Sequence, residues 1–475
     1  MKKSQKNKSA EVVKLLSKQK IRNMKELDSY KLSICHPASA GIDLGSREIY
    51  VALNPAIAAE LDLPIVHTFS TFTSGLYACR DLLVSCGVTT VSMESTSVYW
   101  VNICDVLEAS GIKVCLVNPK KFRMVPGRKT DVLDCQWLQT LHLYGLLSGS
   151  FHPENQIRKL RSYMRQREKL LQDRTRYVQR MQKALIMMNL MLVNVIDDIT
   201  GKTGLDIIRA ILQGERDPCR LAALRNSRVK KSEEEIAEAL TGDYKEEQLF
   251  LLELNYNAYC FFGQQLEKID SQITELLKNF PLKQEVPLGE TSKPKKQIKK
   301  SSGKNALQTK ENLNELLFNI AGVDLSSITG LQTNTILQII AEVGTDMSKF
   351  PSAKHFASYL GFVPHNKITG GVIISSRTDR IKSNAAQAFK KVIPSISQGK
   401  SALACFYHRI AAKAGTGKAV VAVCRKLSMI YYNVLTYGKD YVDVGQSVYK
   451  KNLEEKEKRL LVKLAKKHNM LVVQS

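Results

Sequence analysis

One run of residues constrains this chain's fold more than any other. Positions 157, 160, 164, 167, 171, 174, 178, 181, 185, 188, 192 and 195 are Ile, Leu, Met, Arg, Leu, Arg, Val, Met, Leu, Met, Leu and Val. The steps alternate between three and four, so a helix puts all twelve on one seam, and ten of the twelve are apolar. The spacing predicts one long helix from Ile157 to Val195. A second run carries Leu249, Leu252, Tyr256, Tyr259, Leu266, Ile273, Leu277 and Phe280, and is broken at Gly263 and Asp270. Shorter helices, one with Ile207, Ile208 and Ile211, lie between them. Two long helices around an insert predict an antiparallel coiled-coil arm over 151–280.

The charge pattern adds a partner class. The chain has 475 residues, with 70 Lys plus Arg against 45 Asp plus Glu, a formal net charge of +25. An apolar share of 44% excludes wholesale disorder, and the charge points to a polyanion, nucleic acid before an anionic membrane surface. The excess is confined to four segments: 1–30 (+6), 156–183 (+8), 281–310 (+6) and 449–468 (+5). Residues 1–38 read as a basic extension, 281–311 as a flexible Lys/Ser/Pro/Gly linker and 446–475 as a basic tail, expected to be helical over 450–468. Only 156–183 lies on an expected rigid helix. Its Arg158, Arg161, Arg165, Arg176 and Arg180 lie off the seam, where they either track a phosphate backbone or serve as ordinary helix flanks. The ten cysteines form no CxxC pair, which argues against a zinc ribbon and fits a reducing compartment. No apolar run of about 18 residues is present, so no membrane span is expected, and the Lys-rich start does not read as a signal peptide.

Residues 39–150 read as a mixed α/β domain. Strands are expected at 40–45, 49–53, 65–69, 89–93 and 113–117, and helices at 72–85, 98–109 and 130–144. Residues 312–445 read as mainly helical. Gly330, inside Ile328-Thr-Gly-Leu-Gln332, marks a tight turn between two helices. Such a turn either offers backbone N–H groups to a DNA phosphate or is a plain helical hairpin. Ala414-Gly-Thr-Gly-Lys-Ala419 imitates a phosphate loop but lacks its first glycine and its final hydroxyl residue.

Four carboxylates stand out. Asp43 sits in an apolar strand between Ile42 and Leu44, where burial without a partner is costly. Glu94 ends another strand, and Asp131 and Asp134 are three apart on one helix face. Together they form a hard-oxygen set suited to two Mg²⁺ ions and to phosphoryl transfer. Each alone has an ordinary alternative, Asp131 at a helix start and Glu94 at a strand end, and spacing does not bring the four together.

The stretches Gly41-Ile-Asp-Leu-Gly45, Met93-Glu-Ser-Thr-Ser-Val-Tyr-Trp100 and Gly127-Arg-Lys-Thr-Asp-Val-Leu-Asp-Cys-Gln-Trp137 resemble the insertion-sequence-one-ten transposases. These are DEDD recombinases related to the Piv invertases. The resemblance continues through Gln179–Leu185, Gly214–Pro218, Phe356–Pro364 and Ser375–Thr378. It implies a ribonuclease-H-like (RuvC-like) domain, a helical coiled-coil arm and a mainly α C-terminal transposase domain. It further implies metal binding at Asp43, Glu94, Asp131 and Asp134, double-stranded DNA as substrate, a structured guide RNA, a homo-tetramer, and a cytoplasmic, nucleoid-associated location. The family's serine nucleophile precedes a glycine pair; the matching stretch here is Asn366-Lys-Ile-Thr-Gly-Gly371, which places Thr369 at that position beside Gly370. Threonine keeps the hydroxyl but adds a β-methyl that restricts χ1. Ser375 and Ser376 are nearby substitutes. The rival readings are a water-using RuvC-like nuclease or resolvase and a degenerate nucleic-acid-binding protein.

Overall fold

Short apolar runs bounded by turn residues build the first part of the molecule: Ser39–Leu44 (β1), Glu48–Leu53 (β2), Val66–Ser70 (β3), Thr90–Glu94 (β4) and Lys113–Val117 (β5). The computed structural model describes residues 12, 27, 30–95, 98–118, 130–147, 149–283, 305–370, 372–378, 383–438 and 441–468. Most of the basic extension, residues 284–304 of the expected linker and the Gly127-Arg-Lys part of the third motif lie outside them. The chain divides into two compact units, 1–152 and 153–475.

In the first unit the strands form one sheet in the order β3-β2-β1-β4-β5. A turn closed by Gly45 N–H donating to the Glu48 carbonyl joins β1 to its antiparallel partner β2. β4 and β5 are parallel to β1. Parallel neighbours need crossovers, supplied by helices Thr73–Ser85 (α2) and Trp100–Ala109 (α3). A short helix, Pro55–Glu60 (α1), which the sequence reading left out, follows β2; the Asn54 side chain caps it. Ile42, Val51, Val91, Met93, Leu83, Ile103 and Leu107 fill the core on one side of the sheet. The remaining helix, Asp131–Leu143 (α4), packs against β1, β2 and β4. This is the mixed sheet with flanking helices of a ribonuclease-H-like arrangement.

The second unit is almost wholly helical. Asn155–Met187 (α5) is the expected long helix, but it stops short of Val195. Asn189 adopts a left-handed φ of 56°. Leu190 N–H donates to the Leu185 carbonyl and Asn189 N–H to that of Ile186. That pair of bonds is the Schellman stop signal. Positions 188, 192 and 195 of the heptad therefore leave the helix; Met188 and Leu192 are buried in a cap. The cap consists of Leu192–Val195 (α6), Lys202–Leu212 (α7), Pro218–Ala222 (α8) and Glu233–Ala239 (α9). Glu246–Lys278 (α10) then returns antiparallel to α5, unbroken at Gly263 and Asp270. Asp270 takes Arg167 of α5 in a buried ion pair at 2.6 Å. Arg167 also donates to the Ala306 carbonyl at 2.9 Å, and Gln308 N–H donates to Asp270 at 2.8 Å. The end of the expected linker is thus anchored: Ala306 and Leu307 are buried.

Beyond it come Leu313–Ala321 (α11), Thr333–Val343 (α12), Ala353–Tyr359 (α13), Asn384–Lys391 (α14), Ile393–Ser397 (α15), Ala402–Ala414 (α16), Thr416–Tyr437 (α17) and Gly445–Lys467 (α18). Phe356, Phe362, Phe389 and Tyr431 form their buried aromatic centre. The region is not helical throughout. Pro364–Thr369 (β6) and Val372–Thr378 (β7) make an antiparallel hairpin. Among the described residues, no helix is long and apolar enough to cross a membrane.

Candidate active site

Strand residues alternate between faces. Ile42 and Met93 enter the core, so Gly41 and Asp43 of β1, and Ser92 and Glu94 of β4, turn toward the face covered by α4. Gly41 pairs with Ser92 and Ile42 with Met93 in parallel register, which leaves Asp43 and Glu94 side by side at their strand ends. Two close contacts hold α4 there. The buried Ser92 hydroxyl donates to the Leu138 carbonyl at 3.1 Å. A Cβ on Gly41 would overlap the Cys135 carbonyl and the Gln139 amide, so only glycine allows this approach. α4 runs opposite to β1, so its first turn ends beside Asp43. Thr130 caps that turn by accepting from Leu133 N–H, and Asp131 and Asp134 lie in it. Carboxylates suit the positive end of a helix, which partly offsets gathering so many of them.

The electrostatics record the convergence. The Asp43 carboxyl is pushed from 3.8 up to about 6, first by burial and then by Asp134, Glu94 and Asp131 in that order. A backbone hydrogen bond from Leu44 pulls the other way and does not win. The structure therefore brings together the four carboxylates read from the sequence, in one half-buried acidic group. The donor set is oxygen only, so it fits a hard divalent cation such as Mg²⁺. No three of these carboxylates lie within 4.8 Å of one another.

Thr369 stands exposed at the tip of the β6–β7 hairpin, paired with Val372 across the glycine turn. Gly370 has φ 57°, the left-handed conformation such a turn demands. Ser376 faces Asn366 and Ser375 faces Lys367, farther down the hairpin.

The five arginines divide. Arg165 Nε and Nη2 each donate to one oxygen of the Glu342 carboxylate at 2.8 Å. Arg161 donates to the Ala341 and Glu342 carbonyls. These two fasten α5 to α12. Arg158 is half-buried. Arg176, paired with Asp173, and Arg180, stacked 5.0 Å over Tyr177, remain on the exposed face. Gly330 does form a tight turn, with φ 88°, but Ile396 closes on it where a Cβ would stand. Neighbouring Thr329 is held by Asp443 at 2.9 Å. That turn is accounted for by packing.

The sequence reading missed one group. Among the described residues, Cys104, Glu108 and His152 are the one set of three whose potential ligating atoms all lie within 4.8 Å of one another. Cys104 and Glu108 are four apart on α3, a spacing visible in the sequence; His152 is 44 positions farther on, which hid the third member.

Two family models match the chain. One, described as a DEDD transposase of the IS110 type, covers residues 40–189. The other, the transposase IS116/IS110/IS902 family, covers 324–394. The chain carries the transposase domains of the IS110/IS116/IS902 family. The first transposase domain contains all four carboxylates and the Cys104 group, and the second contains Gly330, Thr369 and Gly370. No curated protein matches the chain.

Proposed function

We propose that this chain is a DNA transposase that cuts and rejoins strands at the ends of an insertion sequence. The observation that carries the reading is the placing of Asp43 and Glu94 at adjacent strand ends beside the first turn of α4, with its Asp131 and Asp134, inside the matched transposase domain. Such a group of like charges is unfavourable by itself and favourable around a cation. In this reading Asp43, Glu94, Asp131 and Asp134 hold two Mg²⁺ ions. When bound, they supply positive charge that stabilises the attacking and leaving oxygens of phosphoryl transfer.

The chain's own hydroxyl does the bond making. Thr369 Oγ1 attacks the scissile phosphorus; the P–Oγ1 bond forms and the P–O3′ bond breaks. The leaving oxygen takes a proton and becomes a free 3′-OH, while the protein keeps the phosphate as an ester. A 3′-OH then attacks that ester, returning the hydroxyl to Thr369. Bond energy is conserved, so no nucleotide cofactor is needed. Exposure at the hairpin tip lets the Thr369 hydroxyl reach a phosphate. The basic segments supply grip on double-stranded DNA and on a structured guide RNA, in a homo-tetrameric assembly.

The test is strand cleavage on labelled element ends with the flanking RNA and Mg²⁺. The wild type gives cut and rejoined products; Asp43→Asn gives neither. A water-using nuclease would give hydrolysed ends and no rejoining. A binding protein would cut nothing under any divalent metal.

A further inference from the structure

We propose that Cys104, Glu108 and His152 form a second metal centre, a zinc site separate from the carboxylates. The inference does not depend on the transposase reading.

Cys104 and Glu108 share one face of α3, one turn apart. His152 comes from the segment leaving β5's edge, where Ser150 N–H donates to the Leu116 carbonyl at 2.6 Å. Trp100, at the start of α3, sets its ring edge to face against the His152 imidazole at 5.3 Å, which fixes the ring. Three side chains from two places in the sequence therefore converge inside one unit.

The geometry is that of coordination. His152 Nε2 lies 3.8 Å from Cys104 Sγ and 3.6 Å from Glu108 Oε1. Tetrahedral zinc has Zn–S of about 2.3 Å, Zn–N of about 2.0–2.1 Å and Zn–O of about 2.0–2.2 Å. Those lengths give edges of about 3.5 Å for S···N and about 3.4 Å for N···O. The two His152 edges need to close by only a few tenths of an ångström, and the thiol and carboxylate atoms lie within 4.8 Å of each other.

One nitrogen faces both partners, and this separates a metal site from a nucleophilic relay. A relay uses the two ring nitrogens for different partners, one toward the thiol and one toward the acid. A cation at the meeting point would take the thiolate, the imidazole nitrogen and the carboxylate together.

The donors choose the metal. Thiolate and imidazole suit zinc and disfavour Mg²⁺, which takes hard oxygens. Cys104 is fully buried, while the Glu108 side chain is 37% exposed. That leaves the fourth position open to water on the Glu108 side. Zinc there would tie the exit segment at His152 to α3, at the last residue of the first unit.

The test uses the full chain, stripped of metal under reducing conditions and titrated with Co²⁺ and then Zn²⁺. Wild type is expected to show a thiolate-to-cobalt charge-transfer band and tetrahedral d–d bands, both discharged by about one equivalent of Zn²⁺. Cys104→Ser should lose the thiolate band, and Glu108→Gln should bind at least about tenfold more weakly while keeping it. Cys219→Ser, at an exposed cysteine outside the group, should change nothing. Asp43→Asn should also keep the band, so loss of strand cleavage and loss of this site are read separately. Absence of the thiolate band in the folded wild type, its survival in Cys104→Ser, or unchanged affinity in a folded Glu108→Gln would each overturn the proposal.

Discussion

Asp43 is where sequence, packing and chemistry meet in a single residue. Its raised carboxyl means that the folded protein binds its proton more tightly than the unfolded chain does. The sign follows directly. The stabilising contribution is complete below about pH 3.8 and is lost as pH rises through about 6, where the folded carboxyl ionises among three others. Asp43→Asn removes that ionisation. Without divalent metal, the variant should melt at or above the wild-type temperature at pH 8, and the advantage should shrink on titration toward pH 4. Thermal melts across that range check this. A variant that melts lower at pH 8 would show that the acidic group is not strained. With metal present, proton and cation compete for the same oxygens, so Mg²⁺ affinity should fall as pH drops through about 6. Asp43 was legible as a candidate because a lone carboxylate in an apolar strand demands a reason. Glu94, Asp131 and Asp134 were legible as candidates too, but their convergence on Asp43 was not, since the contact at Gly41 that brings α4 across the sheet is a three-dimensional fact.

Among the elements, the heptad run announced α5, and one polar interruption in each long run carried more information than the apolar positions. Arg167 interrupts the first run and Asp270 the second, and the two interruptions pair in the buried seam. Breaking such a pair from one side leaves a buried charge and costs about 3–5 kcal/mol, while replacing both with apolar residues is often neutral or stabilising. Arg167→Met should therefore lower stability in denaturant melts by about that amount, and adding Asp270→Leu should recover part of it, because the Ala306 carbonyl and the Gln308 N–H lose their partners as well. Loss in the double variant equal to the sum of the singles would contradict the pairing. The helix end was less legible. The apolar period runs on to Val195, but Asn189 takes the left-handed turn and the later residues are buried in a separate cap. The β6–β7 hairpin was hidden by the helical residues around it, although Thr-Gly-Gly-Val at 369–372 is a hairpin turn signal.

Over the whole molecule, the five strands and every connecting helix but the short α1 were readable almost residue for residue, because each is a short local pattern. The organisation beyond them depends on contacts between distant residues: Arg161 and Arg165 with Glu342, Ala306 and Gln308 with the Arg167–Asp270 pair, His152 with Cys104. Spacing along the chain does not encode these. The net charge of +25 divides accordingly. Part of the 156–183 segment is spent inside the fold, and Arg176 and Arg180 remain outward. The proposed strand exchange requires a covalent bond between this chain and the DNA, and that bond can be sought directly. End-labelled element DNA is incubated with the full-length protein, the flanking RNA and Mg²⁺, then denatured and run on a gel. The account predicts a labelled protein–DNA adduct whose attachment maps to Thr369, retained in Thr369→Ser and absent in Thr369→Ala and Asp43→Asn. Cleaved DNA with no adduct in the wild type, or an adduct that persists in Thr369→Ala, would contradict it.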